Sequence, residues 1–294
     1  MSAATDALIA QERLPAEYAG IVAEYWAPLA DELVRRKRPG QALLVAVNGG
    51  QGSGKTTLCR FLEVLLAERG LRAATLALDD FYLPLAARQE LAATVHPLFA
   101  TRGVPGTHEV AAMHGAFDAL LAGGDACVPQ FDKAHDDRSA QARPIAGPVD
   151  IILFEGWCVA CPPQDDAALA IPVNPLEEQE DASGEWRAEV NRQLRGPYAD
   201  LFGRMDMLVM LAVPGIAAVR ANRALQERKL AETRPGAAAV MNEAALDRFI
   251  MHYERLTTHM LERLPQQADI VVRIGNDHRP VGWPDGLARP GAVA

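Results

Sequence analysis

Positive charge, and lysine above all, is scarce in this chain of 294 residues. The chain has 29 lysine and arginine residues against 38 aspartate and glutamate residues, which gives a net charge of -9 at pH 7. Only four residues are lysine: Lys37, Lys55, Lys133 and Lys229. Proteins that bind nucleic acids or anionic membranes present a basic face to them. The net charge therefore argues against nucleic acids and anionic membranes as partners. Any phosphate group that this protein binds must be held by a local group of residues.

Long apolar segments are missing as well. No run approaches the roughly 20 residues that a membrane-spanning helix needs. The first residues lack the basic start and the apolar stretch of a signal peptide. We therefore predict a cytosolic location. The overall composition, 49% hydrophobic and 23% charged, is that of a folded globular protein.

Cysteine is rare, and four cysteines are too few for a disulfide framework in a chain of this length. Trp157-Cys158-Val159-Ala160-Cys161 has the spacing of some redox-active thiol pairs. In such pairs the N-terminus of a helix lowers the pKa of one thiol. Here the motif runs into Pro162-Pro163, so we predict no helix start at this place. We expect neither a redox nor a zinc role for this motif.

Short, continuously apolar segments separated by helical patterns indicate a parallel sheet covered on both faces. The segments span residues 42–47, 73–78, 149–154, 207–213 and 269–274. The predicted helices lie near residues 108–122, 187–204, 216–232 and 242–263.

The remaining segments define the predicted organisation of the chain. Residues 94–107 and 131–148 are rich in proline, glycine and charge, so we predict long loops there. No linker-like change of composition divides the chain. We predict a helical extension over residues 1–40, one α/β domain over 41–282 and a tail over 283–294.

A phosphate-binding loop follows the first apolar segment. Residues 49–56 fit the pattern G-x-x-x-x-G-K-[ST] between a predicted strand and a predicted helix, the context that this pattern requires. Glycines let consecutive backbone N–H groups curl around an anion, and the helix N-terminus adds its positive dipole end. Lys55 would reach the β- and γ-phosphates, and the Thr56 hydroxyl would ligate Mg²⁺. The predicted nucleotide-binding residues are Gly49, Gly50, Gln51, Gly52, Ser53, Gly54, Lys55, Thr56 and Thr57.

Two further apolar segments end in carboxylates. Glu155 ends an apolar segment that has the form of a Walker B strand. We predict that it orients the ligands around Mg²⁺ or a water molecule at the carboxyl ends of the strands. The alternative is that Glu155 only caps the next segment. Asp79 is the candidate carboxylate that accepts a hydroxyl proton and aims the oxygen at a γ-phosphate. The alternative is that Asp79 and Asp80 only initiate a turn before Pro84.

Together these stretches resemble the P-loop kinases that phosphorylate small alcohols: uridine kinase, pantothenate kinase, phosphoribulokinase and, most closely, the plant-type D-glycerate 3-kinases. The phosphate loop, D-x-F-Y at 79–82 and ILFEG at 152–156 carry the wider resemblance. The stretches TRGVPGTH at 101–108 and PQFDK at 129–133 carry the narrower one. The resemblance implies a three-layer P-loop NTPase fold, in which a central, mostly parallel five-stranded sheet has helices on both faces and a helical lid. It also implies ATP and Mg²⁺ as cofactors.

The resemblance further implies roles for individual residues. Asp79 takes the position of the catalytic carboxylate, and the loops 102–108 and 131–138 border the acceptor. A small anionic acceptor needs a fixed cation for its carboxylate, best an arginine fork. The residues predicted to bind the acceptor are Asp79, Tyr82, Arg102, His108, Lys133 and Arg138. Candidates for lid arginines are Arg220, Arg223 and Arg228, which otherwise form an exposed basic helix face.

Two classes of function are compatible with these features. The first is an ATP-dependent kinase for a hydroxyl of a small metabolite, with D-glycerate as the best substrate and uridine, pantothenate or a sugar phosphate as alternatives. The second is a P-loop switch or assembly factor. The guanine-specifying tetrapeptide N/T-K-x-D is absent from the sequence, and Asp79 with Phe81-Tyr82 favours transfer to an alcohol over transfer to water. The turn at 275–278 is the predicted adenine contact, and the oligomeric state stays open.

Overall fold

Five parallel strands form the centre of the molecule. A computed structural model describes residues 2–233 and 241–289, and within these ranges it describes the side chains of all residues except 229–233. The strands are β1 (Leu43–Gly49), β2 (Ala73–Ala77), β3 (Ala126–Asp132), β4 (Asp137–Ile145), β5 (Ile151–Gly156), β6 (Met207–Ala212) and β7 (Ile270–Arg273). The central sheet has the order β2-β5-β1-β6-β7, with every neighbouring pair parallel. The predicted sheet is confirmed, and each predicted apolar segment overlaps one of its strands.

Helices connect the strands and cover the sheet. The α-helices are α1 (Ala3–Gln11), α2 (Tyr18–Ile21), α3 (Ala27–Arg36), α4 (Lys55–Glu68), α5 (Leu85–Thr94), α6 (Val110–Leu121), α7 (Asp166–Leu169), α8 (Pro175–Glu180), α9 (Glu185–Arg195), α10 (Pro197–Phe202), α11 (Ile216–Thr233) and α12 (Glu243–Arg263). A π-helical turn over Val22–Trp26 joins α2 to α3, and 3₁₀ turns occupy Leu78–Phe81, Pro97–Ala100 and Leu264–Gln266.

The central strands are buried on both faces, which explains their continuously apolar sequences. Leu43, Val45 and Val47 of β1 point into one core with α1, α3 and α4. Leu44 and Ala46 point into the other core, which includes side chains of α6, α10 and α12. Because successive strand residues face opposite sides, a sheet with two cores needs apolar residues at almost every position.

The N-terminal helices pack into the same core as the sheet. Leu8, Trp26 and Leu33 are buried there beside Phe61 of α4, and Leu287 joins them from the far end of the chain. The boundaries at residues 40 and 282 stay predictions.

Two local predictions differ from the structure. Residues 131–148 were expected to form a loop, but β3 and β4 pair there as an antiparallel hairpin over 126–145. Most side chains of β4 are exposed or half-buried. Its sequence therefore lacks the alternation of apolar and polar residues by which a strand is recognised. The helix expected over 187–204 is two helices, because the chain turns at Gly196 before Pro197 starts α10.

Among the residues that the structure describes, no helix combines the length and the apolar character needed to cross a membrane.

Candidate active site

The carboxyl ends of three neighbouring strands bring the predicted functional residues together. Val47 of β1 pairs with Glu155 of β5, and Glu155 pairs with Ala77 of β2. The phosphate loop therefore starts two residues beyond the level of Glu155, and Asp79 follows two residues beyond Ala77. Parallel α/β sheets form their ligand crevices at this edge.

A cavity of about 530 Å³ occupies this edge of the sheet. Its wall includes nine of the predicted site residues. Seven are Gln51, Gly52, Lys55, Thr56, Asp79, Tyr82 and Glu155, and the other two, Arg102 and Lys133, come from the two predicted acceptor loops. The phosphate loop, the candidate catalytic carboxylate and two candidate acceptor cations thus face one common space.

The phosphate loop curls around the ammonium group of Lys55. Lys55 Nζ donates to the carbonyl oxygens of Gly49 at 2.7 Å and Gly50 at 3.1 Å. Burial lowers the pKa of Lys55, and the nearby charges of Glu155 and Asp79 oppose that effect. An ammonium group taken out of water in this way gains more from an incoming anion than a solvated one does.

Glycine at position 52 is a requirement of the loop. Gly52 has φ +72°, and a Cβ there would lie 2.5 Å from the Cβ of Asn222 on α11. Helix α4 then begins at Lys55, and no side chain caps its first turn. The N–H groups of that turn therefore point toward the loop, where the helix dipole favours an anion.

Thr56 and Glu155 form an oxygen pair beside the loop. The Thr56 hydroxyl donates to Glu155 Oε1 at 2.6 Å, and Glu155 is buried at 6% exposure. Hydroxyl and carboxylate oxygens are ligands that suit Mg²⁺. Within the described residues, the buried polar atoms Gln51 Oε1 and Ser53 Oγ have no hydrogen-bond partner. The unpartnered atoms of the loop and the adjacent hydroxyl and carboxylate oxygens of Thr56 and Glu155 fit a site for a nucleotide bound with Mg²⁺.

Asp79 is held from two sides at the cavity wall. Lys133 Nζ donates to Asp79 Oδ2 at 2.6 Å, and the Tyr82 hydroxyl donates to Asp79 Oδ1 at 2.9 Å. Desolvation raises the pKa of Asp79, but the charge and hydrogen bond of Lys133, the Tyr82 hydroxyl and the charge of Lys55 together lower it to about 2. The carboxylate therefore stays ionised at neutral pH, with its oxygens fixed in direction.

Arg102 lines the cavity from the predicted acceptor loop over residues 102–108. Its guanidinium pairs with Asp136 and stands 5.2 Å from the ring centroid of Phe131. A planar guanidinium stacked on an aromatic ring keeps its edges available for a carboxylate. Asp136 also pairs with Arg88, so Arg102 shares this partner with a second arginine.

His108 and Arg138, both predicted to bind the acceptor, are not among the residues that line the cavity. His108 stacks behind Tyr82 with ring centroids 4.6 Å apart, and its Nδ1 lies 2.6 Å from the Tyr198 hydroxyl. Burial lowers the pKa of His108 to about 3, so the imidazole is neutral. Arg138 pairs with Glu109 and donates to the carbonyl oxygen of Tyr82 at 2.8 Å. Both side chains support Tyr82 from outside the cavity.

The arginines of α11 separate into different environments. Arg223 lines the cavity, pairs with Glu227 at 2.6 Å and lies 4.9 Å from the ring centroid of Phe249. Arg220 pairs instead with Asp247 at 2.5 Å, outside the cavity wall. Arg228 is exposed. Of the candidate lid arginines, Arg223 is the one that the fold brings to the site.

The turn after β7 lies against the phosphate loop. His278 has φ +62°, and its Nδ1 is 3.3 Å from the carbonyl oxygen of Gly52. The predicted adenine contact at 275–278 is therefore adjacent to the predicted phosphate site, and its role stays a prediction.

The two cysteines of the W-C-x-x-C motif are buried and free. Residues 157–160 form a turn rather than a helix start. Burial raises the pKa of both Cys158 and Cys161 well above the ordinary value of a thiol. Thiols in this environment are poor nucleophiles, in agreement with the expectation of no redox role.

Known proteins with similar sequences are kinases. The uncharacterized kinase mug58 of Schizosaccharomyces pombe is 32% identical over 230 residues, which are 74% of this chain and 80% of that protein. The chloroplastic D-glycerate 3-kinase of Arabidopsis thaliana is 32% identical over 133 residues, 41% of this chain and 29% of that protein. The chain belongs to the P-loop kinase family of D-glycerate 3-kinase and uridine kinase.

The fold of this kinase agrees with that assignment. D-Glycerate 3-kinase from Cryptococcus neoformans superposes with a TM-score of 0.70, at 24% identity, over 87% of this chain and 96% of the other. That likeness concerns the fold alone. No family model matches the chain. The reaction class of the kinase is phosphoryl transfer to an alcohol group.

Several cavity residues of the kinase were not predicted from the sequence. Arg143 of β4 donates to the carbonyl oxygen of Thr75 at 2.9 Å and lies 3.8 Å from Asp80. It was missed because the hairpin was expected to be a loop. The aromatic side chains of Trp157, Phe249 and Tyr253 also line the cavity. The i, i+4 spacing of Phe249 and Tyr253 on one helix face was the available signal, but apolar periodicity alone does not distinguish core from cavity.

Proposed function

We propose that this kinase transfers the γ-phosphate of ATP to a hydroxyl of a small anionic metabolite, with D-glycerate as the best candidate. The observation that carries the proposal is the placement of Asp79. Its carboxylate, oriented by Tyr82 and Lys133, faces the same cavity as the phosphate loop. A fixed carboxylate opposite a γ-phosphate site is the arrangement that phosphoryl transfer to an alcohol needs.

The phosphate loop and its neighbours would hold the nucleotide. Lys55 and the N–H groups of the first turn of α4 would contact the phosphates, while Thr56 and Glu155 would hold Mg²⁺. When bound, Mg²⁺ would neutralise negative charge on the transferring phosphoryl group. Because Thr56 and Glu155 already pair at 2.6 Å, little rearrangement would be needed to present both oxygens.

Asp79 would act mainly by orienting the acceptor. A carboxylate with a pKa of about 2 is a weak base in the free enzyme. In a loose phosphoryl-transfer transition state the attacking hydroxyl loses its proton late, so aiming the oxygen contributes more than early deprotonation. Asp79 would accept the hydroxyl proton as the bond to phosphorus forms.

The acceptor side of the cavity supports an anionic substrate. Arg102, Lys133 and Arg143 line it, each paired with a carboxylate of the protein. An incoming carboxylate would replace the protein carboxylate at Arg102 or Arg143, where a guanidinium offers it two parallel hydrogen bonds, while Lys133 stays on Asp79. The Arabidopsis relative carries the name D-glycerate 3-kinase, which supports glycerate over other hydroxy acids. The cytosolic location and the absence of nucleic-acid and membrane partners stay predictions from composition.

Measuring ADP release with different acceptors tests the proposed function. D-Glycerate, uridine, pantothenate and ribulose 5-phosphate would be compared at equal concentration with ATP and Mg²⁺. Glycerol is the matched control for D-glycerate, because it keeps two neighbouring hydroxyl groups and lacks the carboxylate. We expect D-glycerate to give the highest kcat/KM and glycerol to be a poor acceptor. ATP turnover that is equal with and without every acceptor would contradict the proposal in favour of a nucleotide-dependent switch.

Arg223 is predicted to stabilise the charge of the transferring phosphate. Arg223→Ala should lower kcat at least about ten-fold, since a fixed guanidinium at the cavity opposes charge that develops in the transition state. Arg220→Ala is the matched control, because Arg220 pairs with Asp247 outside the cavity. Steady-state kcat at saturating substrates compares the two variants, and an equal effect of both would remove Arg223 from this role.

The pH profile of the kinase should depend on Lys133. In the free enzyme Lys133 is the main group that lowers the pKa of Asp79 against desolvation. In Lys133→Ala the desolvation remains and the lowering charge is lost, so the pKa of Asp79 should rise. Activity that requires the ionised carboxylate is lost as pH falls through that pKa, so the acid limb of kcat/KM should move to higher pH. An acid limb that coincides with that of the Lys37→Ala control would contradict this.

A further inference from the structure

We propose that Tyr253, on α12, is a positioning residue that fixes Arg102 at the acceptor side of the cavity. The proposal rests on the proposed function, in which Arg102 is one of the cations available to the anionic group of the acceptor. Tyr253 is buried at 3% exposure, and its hydroxyl donates to the backbone carbonyl oxygen of Arg102 at 3.0 Å. A hydrogen bond to the backbone of Arg102 sets the place from which its side chain enters the cavity.

A second aromatic donor holds the next carbonyl of the same loop. Trp157 Nε1 donates to the carbonyl oxygen of Gly103 at 2.9 Å. The rings of Trp157 and Tyr253 meet edge to face, with centroids 4.8 Å apart and planes at 75°. Two consecutive carbonyls are thus held by two side chains that also pack on each other. Buried donors of this kind define one backbone conformation because leaving either carbonyl unpaired is costly.

The loop can approach Tyr253 only because residue 103 is glycine. Gly103 has φ +139°, and a Cβ at this position would overlap the Tyr253 hydroxyl. The phenol ring is held independently of the loop, since it packs on Phe249 with centroids 4.7 Å apart. The ring therefore sets the position of the loop, and the hydroxyl is the group through which it does so.

Phe249 connects the same helix to the phosphate side of the cavity. The guanidinium of Arg223 lies 4.9 Å from the Phe249 ring centroid. Adjacent turns of α12 thus support Arg223 through Phe249 and Arg102 through Tyr253. One rigid helix fixes the spacing between a cation on the phosphate side and a cation on the acceptor side.

Tyr253→Phe tests the role because it keeps the ring and removes only the hydroxyl. We expect the KM for D-glycerate to rise about five-fold or more, the factor that corresponds to one lost hydrogen bond. The KM for ATP should stay unchanged. Tyr18→Phe is the matched control, since the Tyr18 hydroxyl accepts from Trp26 Nε1 at 3.2 Å in the N-terminal helices, away from the cavity.

Amide hydrogen exchange of residues 101–107 in the same variant supplies a readout that does not depend on the substrate. Faster exchange in Tyr253→Phe, together with the raised KM for D-glycerate alone, would support the proposal. Unchanged exchange, an unchanged KM for D-glycerate, or an equal rise of both KM values would overturn it. If the unaltered kinase phosphorylated no acceptor, the proposed function would fail, and the exchange comparison alone would decide whether Tyr253 fixes this loop.

Discussion

Replacing Asp79 with asparagine is expected to lower kcat by a factor of about 10²–10⁴ while the KM for ATP stays nearly unchanged. The asparagine side chain matches the carboxylate in shape but accepts no proton and carries no charge for Lys133 to bind. Asp79 lies beyond β2 on the acceptor side, whereas the loop that would hold ATP follows β1. Loss of turnover with retained nucleotide binding would therefore locate Asp79 in the transfer step.

The neighbouring acid supplies the control for this variant. Asp80 also lines the cavity, but it lies 3.8 Å from Arg143. Burial raises the pKa of Asp80, whereas the pKa of Asp79 is lowered by its partners. Asp80→Asn should therefore have a much smaller effect on kcat than Asp79→Asn. Full activity of Asp79→Asn would remove this residue from its role, and equal losses in both variants would point to a general disturbance of the cavity.

Replacing Lys55 with alanine is expected to weaken both ATP binding and turnover, with a loss of about 10²–10³ in kcat/KM for ATP. The Lys55 side chain is half-buried, and its ammonium group donates to the carbonyl oxygens of Gly49 and Gly50. It would meet the phosphates in the ground state and the charge on the transferring phosphoryl group in the transition state. KM and kcat should therefore both change, unlike the result expected for Asp79.

Lys37→Ala is a matched control for the Lys55 variant. Lys37 lies 3.1 Å from Asp150 at the opposite, amino edge of the strands, so its loss should leave the KM for ATP unchanged. Lys55→Arg keeps the charge in a larger group and should recover part of the binding but little of the turnover. A normal KM for ATP in Lys55→Ala would contradict the assignment of the phosphate site.

The sequence predicted the parts of this kinase whose chemistry is local. The phosphate loop at 49–56 combines fixed spacing with glycines and a lysine. Strands β1 and β5 are buried at every position, and their sequences are apolar up to the polar residues Asn48 and Glu155 near their carboxyl ends. Glu155 and Asp79 could be assigned to one edge because parallel strands end on the same side. These predictions needed no knowledge of distant contacts.

The acceptor side depends on contacts between segments far apart in the sequence, and sequence analysis was less accurate there. The β3–β4 hairpin has few buried positions, so neither it nor Arg143 could be recognised. His108 was expected to bind the acceptor, but Tyr198, 90 positions later, holds it behind Tyr82. Choosing Arg223 among the α11 arginines likewise required the position of Phe249 on α12.

The β3–β4 hairpin also bears on how substrate choice could change in this family. Among the strands that the structure describes, its two strands pair with each other and form a sheet separate from the parallel sheet that carries the phosphate loop. Phe131, Lys133 and Arg143 all reach the cavity from this one element. Exchanging the hairpin between related kinases could therefore transfer acceptor preference while the nucleotide half of the enzyme stays intact, which makes residues 126–145 a natural unit for grafting and directed evolution.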